Sequence, residues 1–403
     1  MGLNQYLCNV NTIRYKMIDI TESIKYIGVD DNDLDLFESQ YIVPNGMAYN
    51  SYIILDEKIA VMDTVDKRKK NDWWCALEKE LAGKKPDYLV VQHMEPDHAG
   101  VIAEFVEKYP ESKIVATDKA IRMLPLFFEG VDFAERTIAV KENDTLSLGK
   151  HTLQFIMAPM VHWPEVLMSY ESSQKILFSA DGFGKFGAIA NETDEWACEA
   201  RRYYINICGK YGQQVQSVLK KAATLDIHTI CPLHGPVLRG DLTPYLSLYH
   251  TWSSYEPETQ GTLIAYASIH GNTAHAAKQL AEIIQQKGEK VVVSDLSRSD
   301  MAEVIEDAFR YPRLVLCASS YDGGVFPVMH DFLHHLQIKN YQKRRIGLLE
   351  NGSWAPMAAK KMAEAFSEMK DIHVAEKSVT IKSALNDESL CAIKELAEEI
   401  VKA

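Results

Sequence analysis

The stretch Gln92-His93-Met94-Glu95-Pro96-Asp97-His98 contains four potential metal ligands within six residues and follows the apolar run Tyr88–Val91. Such a run predicts a buried strand, and the polar cluster behind it predicts a functional loop. Because proline disfavours helical geometry in the residue before it, we expect an extended backbone at Glu95, with the alternate ligands on one side. Gly100 and the apolar residues after it predict a helix. One short loop can therefore supply ligands to two metal ions.

Three further candidate ligands each follow an apolar run that predicts a strand, and they are His162, Asp181 and His234. Together with the first cluster they predict a binuclear site. Carboxylate and imidazole ligands with open positions suit redox-active iron, whereas zinc does not change its oxidation state. Two ferrous ions with the three carboxylates of this set and a bridging hydroxide would form a neutral core, which is cheap to bury.

The order H-x-E-x-D-H, then H-W-P, then a strand-end aspartate, then H-G resembles the metallo-β-lactamase-like domain of flavodiiron proteins. Tyr49-Asn50-Ser51-Tyr52 and Asp63-Thr64 belong to the same resemblance, which covers nearly the whole chain. It implies that one iron is bound by His93, Glu95 and His162. It implies further that the other iron is bound by Asp97, His98 and His234, and that Asp181 bridges the two.

After residue 261, five apolar strands alternate with five helices, which indicates a doubly wound parallel sheet. The first strand runs into Ser268–Thr273, a loop that offers backbone N–H groups and hydroxyls to a phosphate at a helix N-terminus. It resembles the FMN phosphate loop of flavodoxins, with His270 where a threonine is common. Two later loops are expected to flank the isoalloxazine, with Tyr321 and Trp354 over its faces. The candidate FMN-binding residues are Ser268, Ile269, His270, Gly271, Asn272, Thr273, Ser319, Ser320, Tyr321, Asp322, Gly323, Gly324, Asn351, Gly352, Ser353 and Trp354.

Length and composition set the frame for these motifs. A chain of 403 residues predicts two domains, which we place at residues 1–255, a metallo-β-lactamase-like αββα sandwich, and 256–403, a flavodoxin-like five-stranded parallel sheet. A net charge of −13 argues against a nucleic-acid partner, and no apolar run is long enough to span a membrane. The seven cysteines are scattered without C-x-x-C spacing, so we expect reduced thiols and a cytoplasmic location.

The resemblance implies a flavodiiron oxidoreductase that reduces O2 to water, NO to N2O, or both. A diferrous pair and reduced FMN would together hold the four electrons that O2 reduction requires. No G-x-G-x-x-G fingerprint follows any predicted strand, so an external protein donor such as rubredoxin is favoured over direct NAD(P)H binding. The family also implies a head-to-tail homodimer, or a dimer of such dimers, in which the flavin of one subunit faces the irons of the other.

One departure from the family pattern concerns the metal pocket. Many members place a histidine about a dozen residues before the Tyr-Asn pair, where this chain has Phe37 followed by Glu38. We expect Glu38 to deliver protons in its place, and Tyr203 to be the tyrosine that the family keeps near the metals. Two alternatives stay open at this point. One is a binuclear zinc hydrolase fused to a flavodoxin, and the other is an electron carrier on a vestigial β-lactamase-like domain.

Overall fold

The computed structural model describes residues 19–191 and 195–402, which form two compact units. The first unit consists of the described residues of Met1–Ala200 and Gln214–Leu246, and the second of those of Arg201–Gln213 and Ser247–Ala403. The domain boundary that we place between residues 255 and 256 stays a prediction. None of the described helices combines the length and the apolar character needed to cross a membrane.

The first unit contains two six-stranded sheets. Along one sheet the strands are β1 (Ile24–Tyr26), β6 (Tyr52–Ile54), β7 (Ala60–Met62), β8 (Tyr88–Val90), β9 (Lys113–Thr117) and β10 (Thr137–Val140). Along the other they are β11 (Thr145–Ser147), β12 (Thr152–Met157), β13 (Leu167–Glu171), β14 (Ile176–Phe178), β15 (Thr229–Cys231) and β16 (Leu238–Arg239). Two short pairs complete the strands, β2 (Val29–Asp31) with β5 (Met47–Tyr49) and β3 (Leu36–Phe37) with β4 (Tyr41–Ile42).

Helices precede or follow several of these strands. They are α1 (Lys70–Leu81), α2 (Pro96–Ala99), α3 (Ile102–Lys108), α4 (Asp118–Phe127) and α6 (Gly212–Ala222). Most of α5 (Trp196–Ile207) and of α7 (Thr243–Ser253) belongs to the second unit. The apolar faces of the two sheets share one core, in which the Tyr52 ring meets the Phe178 ring edge to face at 5.4 Å. Burial of such large apolar side chains is the main force that holds one sheet against another. The sandwich fixes the strand ends from which the candidate ligands project.

The second unit contains a sheet of seven strands, where five were predicted, with helices on its faces. The sheet is parallel except for the short strand Gly324–Val325, which pairs antiparallel with its neighbour. Its strands are β17 (Thr262–Ala267), β18 (Val291–Asp295), β19 (Arg313–Tyr321), β20 (Gly324–Val325), β21 (Arg344–Asn351), β22 (Ile372–Val374) and β23 (Val379–Ile381). Its helices are α8 (Asn272–Gln286), α9 (Met301–Arg310), α10 (Pro327–Ile338), α11 (Ala358–Phe366) and α12 (Asp387–Val401). The strand order along the sheet is β18-β17-β19-β21-β22. The chain adds β18 on one side of β17 and the later strands on the other side, so a crevice is expected at the carboxyl ends of β17 and β19.

Three local predictions were wrong. Apolar periodicity over residues 196–225 predicts a helix, but the structure has two helices there, α5 and α6, because the chain turns at Gly209–Tyr211 between them. The apolar residues of 374–381 predict one last strand, but the structure has two short strands, β22 and β23, which both pair with β21. Cys75 is disulfide-bonded, against the expectation of reduced thiols, whereas Cys198, Cys208, Cys231, Cys317 and Cys391 are not in disulfides.

Candidate metal centre and flavin pocket

The loop behind β8 is held by a buried carboxylate from the neighbouring strand. Asp63 follows β7, has a positive φ of 56° and is fully buried. Its Oδ1 accepts a hydrogen bond from the Gln92 backbone N at 2.7 Å, and its Oδ2 accepts one from Gln92 Nε2 at 2.9 Å. Burial raises the pKa of Asp63 to about 6, against the lowering effect of the His98 charge and of the Gln92 hydrogen bonds. These hydrogen bonds fix the start of the ligand cluster to the carboxyl end of β7.

Pro96 divides the cluster into two pairs of ligands. Glu95 has extended geometry with ψ 138°, as its position before proline predicts, and Pro96 is the first residue of α2. Asp97 and His98 therefore lie in a helical turn, and the expectation that Asp97 continues the extended alternation was wrong. His93 and Glu95 belong to one group of candidate ligands, whereas Asp97 and His98 belong to another.

The structure brings all seven predicted ligands together in two neighbouring groups. Within each group the ligand atoms lie within 4.8 Å of one another, and the groups are His93, Glu95, His162 and Asp181, and Asp97, His98 and His234. His162 follows β12, Asp181 follows β14, and His234 follows β15. All are buried except Glu95, whose side chain is 12% exposed. Residues far apart in the chain thus meet at one end of the sandwich.

Asp181 contacts both groups through its two oxygens. Its Oδ2 lies 3.1 Å from His162 Nε2 and 3.4 Å from His93 Nε2. Its Oδ1 lies 3.3 Å from His98 Nε2 and 3.7 Å from His234 Nε2. A carboxylate placed in this way can supply one oxygen to each of two adjacent metals.

Buried charges in the pocket shift the pKa values of its ligands. Burial opposes ionisation of Asp181, but the positive charge of His93 and close contacts with His162 and His98 hold its pKa well below the usual range. Burial also disfavours protonated His162, yet Asp181 and Glu95 raise its pKa to about 9. Burial raises the pKa of Asp97 to about 7, with the negative charges of Glu95 and Asp181 adding to the effect and that of His98 opposing it. Protons therefore compete with metal ions for the same ligand atoms.

Residues outside the predicted set orient the imidazoles. His234 Nδ1 lies 2.7 Å from the Ala48 carbonyl oxygen, and His93 Nδ1 lies 2.8 Å from Glu165 Oε1. Asn50 Nδ2 donates to the carbonyl oxygens of Pro232 and Gly235, both at 2.8 Å, which fixes the loop that contains His234. Sequence reasoning named Asn50 only as part of the resemblance and did not name Glu165, although its place three residues after His162 was a usable signal.

The predicted residues near the pocket have different positions. The Phe37 ring lies edge to face with His234, 5.5 Å between ring centroids, so an aromatic side chain contacts the ligand at the position where the family resemblance implies a histidine. Glu38, in the turn between β3 and β4, accepts a hydrogen bond from Gln40 Nε2 at 3.1 Å, and desolvation together with the Glu95 charge raises the pKa of Glu38 to about 7. Tyr203 lies fully buried in α5 of the second unit. The roles of Glu38 and Tyr203 stay predictions.

A cavity of about 380 Å³ lies at the carboxyl ends of β17, β19 and β21. The predicted residues that line it are Ser268, Ile269, His270, Asn272, Thr273, Ser319, Ser320, Tyr321, Asp322, Gly323, Asn351, Gly352, Ser353 and Trp354. Gly271 and Gly324 were predicted but do not line it, whereas Ala355 and Ser383 line it and were not predicted. Gly271, with φ 93°, instead forms the turn that begins α8.

Hydrogen bonds order the polar wall of this cavity. Thr273 Oγ1 and Ser319 Oγ are 3.0 Å apart, and Asn351 Nδ2 donates to the Ser383 carbonyl oxygen at 2.9 Å. The aromatic residues are more open, since Tyr321 is 44% and Trp354 84% exposed. Hydroxyls at the N-terminus of α8 beside two open aromatic rings suit a ligand with a phosphate at one end and a planar ring at the other.

Both sites fit the cofactors that the motifs imply. Neither oxygen of Asp97 or Asp181 makes a hydrogen bond of good geometry among the described residues, although both carboxyl groups are buried. Buried polar atoms without hydrogen bonds require another partner, and metal ions would provide one. The cavity behind β17 lies in the volume range of ligand pockets and at the place where flavodoxin-like sheets bind FMN.

Comparison with known proteins agrees with this fold and these sites. Residues 47–235 match the model of the ODP family of beta-lactamases, and residues 264–370 match that of flavodoxin. The chain is 29% identical to the nitric oxide reductase of Moorella thermoacetica, over 95% of this chain and 98% of that protein. It is 26% identical to the rubredoxin-oxygen oxidoreductase of Megalodesulfovibrio gigas, over 95% and 97%. The solved structure of rubredoxin oxygen:oxidoreductase from Desulfovibrio gigas aligns with a TM-score of 0.89 at 25% identity, over 95% and 97% of the two chains.

A β-lactamase-like fold with two adjacent carboxylate–imidazole groups, joined in one chain to a flavodoxin-like fold, defines the class of diiron flavoproteins. The chain belongs to the flavodiiron proteins. The predicted family and the predicted fold class are thereby confirmed.

Proposed function

We propose that this protein is an oxidoreductase that reduces O2 to water, NO to N2O, or both, with two irons and FMN as its cofactors. The observation that supports this most directly is the pocket of the first unit, where two groups of mixed carboxylate and imidazole ligands share Asp181. A hydrolytic zinc pair would not need the flavin pocket of the second unit. The similar proteins named nitric oxide reductase and rubredoxin-oxygen oxidoreductase have the same activity class.

The proposed ligands are assigned to two iron sites within the metal pocket. His93, Glu95 and His162 would hold one iron, and Asp97, His98 and His234 the other, with Asp181 between them. When bound, the irons supply electrons and Lewis acidity to the gas molecule. The chain itself fixes the imidazole orientations, excludes bulk water by burial of the ligands, and supplies negative charge that favours metal over protons at neutral pH.

We propose Glu38 as the group that holds a proton at the mouth of the pocket. Desolvation and the charge of Glu95 raise the pKa of Glu38 to about 7, so this carboxyl group can gain and lose a proton near neutral pH. Glu38 is exposed, whereas Glu95 is mostly buried, so a proton on Glu38 can exchange with solvent. Tyr203 is the second proposed proton-handling residue, on the strength of its place in the family pattern.

The electron path would begin at an external donor, for which rubredoxin is our proposal, and continue through FMN. Ser268, Asn272 and Thr273 would bind the phosphate, and Tyr321 and Trp354 would cover the ring. A redox protein must approach the flavin edge closely, and the exposed ring of Trp354 marks the open side of the cavity. We propose a cytoplasmic location because only one of the six described cysteines, Cys75, is disulfide-bonded.

We propose a head-to-tail homodimer, or a dimer of such dimers, from the exposed apolar residues beside each site. In the first unit Leu126 is 81% and Phe127 41% exposed, and the Phe127 ring lies 6.4 Å from Trp163, next to His93. In the second unit Ile269 and Trp354 are exposed at the flavin cavity. In a head-to-tail pair the exposed apolar residues beside the flavin cavity of one subunit would face those beside the metal pocket of the other. A catalytically competent monomer in analytical ultracentrifugation would contradict this arrangement.

The function is tested by metal and flavin content followed by gas consumption. Protein purified without oxygen is expected to contain two irons and one FMN per chain, and to consume O2 or NO when a reduced donor is present. Both gases are offered separately, because the ligand set does not distinguish them. Two zincs per chain after growth in iron-rich medium, without gas consumption, would refute the proposal in favour of a hydrolase.

A further inference from the structure

The two ligand groups are alike in composition but differ in what lies behind their imidazoles. Each group contains one carboxylate of its own and two histidines, and they share Asp181. Behind His234, Nδ1 faces a neutral carbonyl oxygen of Ala48 at 2.7 Å. Behind His98, Nδ1 has no hydrogen-bond partner among the residues that the structure describes. Behind His93, Nδ1 faces a carboxylate, Glu165 Oε1, at 2.8 Å. Only the His93 group is shown to have a carboxylate, that of Glu165, as the partner of a histidine Nδ1 atom among the described residues.

Glu165 is held in place by its surroundings. The residue is 1% exposed, and its Oε1 also accepts a hydrogen bond from the Met94 backbone N at 2.9 Å. Thr117 Oγ1 donates to the Glu165 carbonyl oxygen at 2.9 Å, which fixes the backbone from the end of β9. Its Oε2 makes no hydrogen bond within residues 19–191 and 195–402. The carboxylate is thus directed at His93 and at the backbone next to it.

Hydrogen bonding of this kind has two consequences for a metal ligand. It keeps the proton on Nδ1, so that Nε2, which faces Glu95 and Asp181, is free to bind metal. It also makes the imidazole a stronger electron donor, because the carboxylate draws the Nδ1 proton toward itself. Stronger donation stabilises the ferric state of the bound iron more than the ferrous state.

We infer that Glu165 is a positioning residue that lowers the reduction potential of the iron held by His93, Glu95 and His162 relative to its neighbour. This inference rests on the proposed diiron function. An iron held by His93, Glu95 and His162 would therefore be easier to oxidise than one held by Asp97, His98 and His234. The pair is therefore electronically unequal although its direct ligands match.

The experiment compares Glu165→Gln with the wild-type protein by redox titration followed by electron paramagnetic resonance. The substitution removes the charge and keeps the shape. We expect the potential of the second step, from the mixed-valence to the diferrous state, to rise by at least about 59 mV. For a one-electron step this corresponds to a tenfold change in the Fe(III)/Fe(II) ratio at a given potential. The first step concerns the other iron and should move less. Iron affinity should fall by about ten- to one hundredfold.

Glu171→Gln is the matched control. Glu171 is fully buried and lies 3.1 Å from His151 Nδ1, so the substitution removes the same charge from the same kind of pair outside the two ligand groups. It should leave both potentials unchanged. Glu165→Asp retains the charge and should have a second-step potential between those of wild type and Glu165→Gln.

The outcomes separate this inference from the proposed function. Wild-type protein that binds no iron would refute the diiron function itself. Wild type with two irons, and Glu165→Gln with both potentials unchanged, would overturn the inference alone. Equal shifts in both steps would overturn the assignment of Glu165 to one iron. If Glu165→Gln loses iron on purification, Co²⁺ titration of the metal-free protein replaces the potentials, and affinity equal to that of Glu171→Gln would overturn the inference.

Discussion

Replacement of Asp181 by asparagine tests the shared carboxylate directly. Asp181 is fully buried, and its two oxygens lie between 3.1 and 3.7 Å from the Nε2 atoms of all four histidine ligands. Asparagine has nearly the same shape but no charge, and its amide nitrogen would place N–H groups toward metals. We expect iron content to fall from two toward one or fewer per chain.

The magnitude follows from the burial of the pocket. Loss of one partner from a buried charge pair costs about 3–5 kcal/mol. At 1.4 kcal/mol for each factor of ten, metal affinity should fall roughly 100- to 4,000-fold. The pKa of Asp181 is held well below its usual range, so the carboxylate is ionised at every pH at which the protein would be tested, and the loss should not depend on pH near neutrality.

Metal affinity is measured on metal-free protein by competition with a chelator of known affinity, and metal content by elemental analysis. Asp226→Asn serves as the control, because Asp226 is an exposed carboxylate that pairs with Lys175 and His228 outside the two ligand groups. Circular dichroism of the metal-free variants checks the fold. If Asp181→Asn retained two irons with the affinity of Asp226→Asn, the role assigned to Asp181 would be wrong.

Two other predictions concern the flavin and the protons of the pocket. Trp354→Ala should weaken FMN binding by roughly 5- to 140-fold, since stacking on an aromatic side chain contributes about 1–3 kcal/mol. Fluorescence titration of the flavin-free protein measures this, and an unchanged dissociation constant would show that Trp354 does not contact the ring. The affinity of the metal-free protein for Zn²⁺, used as a redox-inert probe, should rise with pH by about tenfold per unit for each proton displaced. One such proton is on His162, whose pKa is about 9, and a second, on Asp97 with a pKa of about 7, adds below pH 7. Calorimetry in buffers of different ionisation enthalpy counts the released protons, and release of none at pH 7 would contradict these pKa shifts.

Much of the metal site could be predicted from the sequence because it depends on local chain properties. Apolar runs predicted strands ahead of His93, His162, Asp181 and His234, and the structure places each of them at such a strand end. Proline chemistry predicted the extended backbone at Glu95. The flavin loops followed similarly, because parallel strands place their carboxyl ends at one edge of a sheet.

Details that depend on neighbours in space could not be predicted in this way. The gap between α5 and α6 and the division of the last strand into β22 and β23 were missed, since periodicity does not report short interruptions. Ala355 and Ser383 reach the flavin cavity only because β23 pairs with β21. The disulfide bond of Cys75 was not predicted either, because the spacing of cysteines in the sequence does not show which thiols lie close together in the fold.

The sequence alone determined the identity of the seven candidate ligands, the two folds and the flavin loops, because each is encoded by residue type and spacing over a short stretch. The division of the ligands into two groups was implied by the family resemblance, and the tertiary structure places them in those groups. Only the tertiary structure showed which residues support the ligands. Glu165 lies 72 positions from His93 in the chain, yet their side chains meet at 2.8 Å. Such contacts arise from the packing of two sheets through a shared core, and no local pattern specifies them.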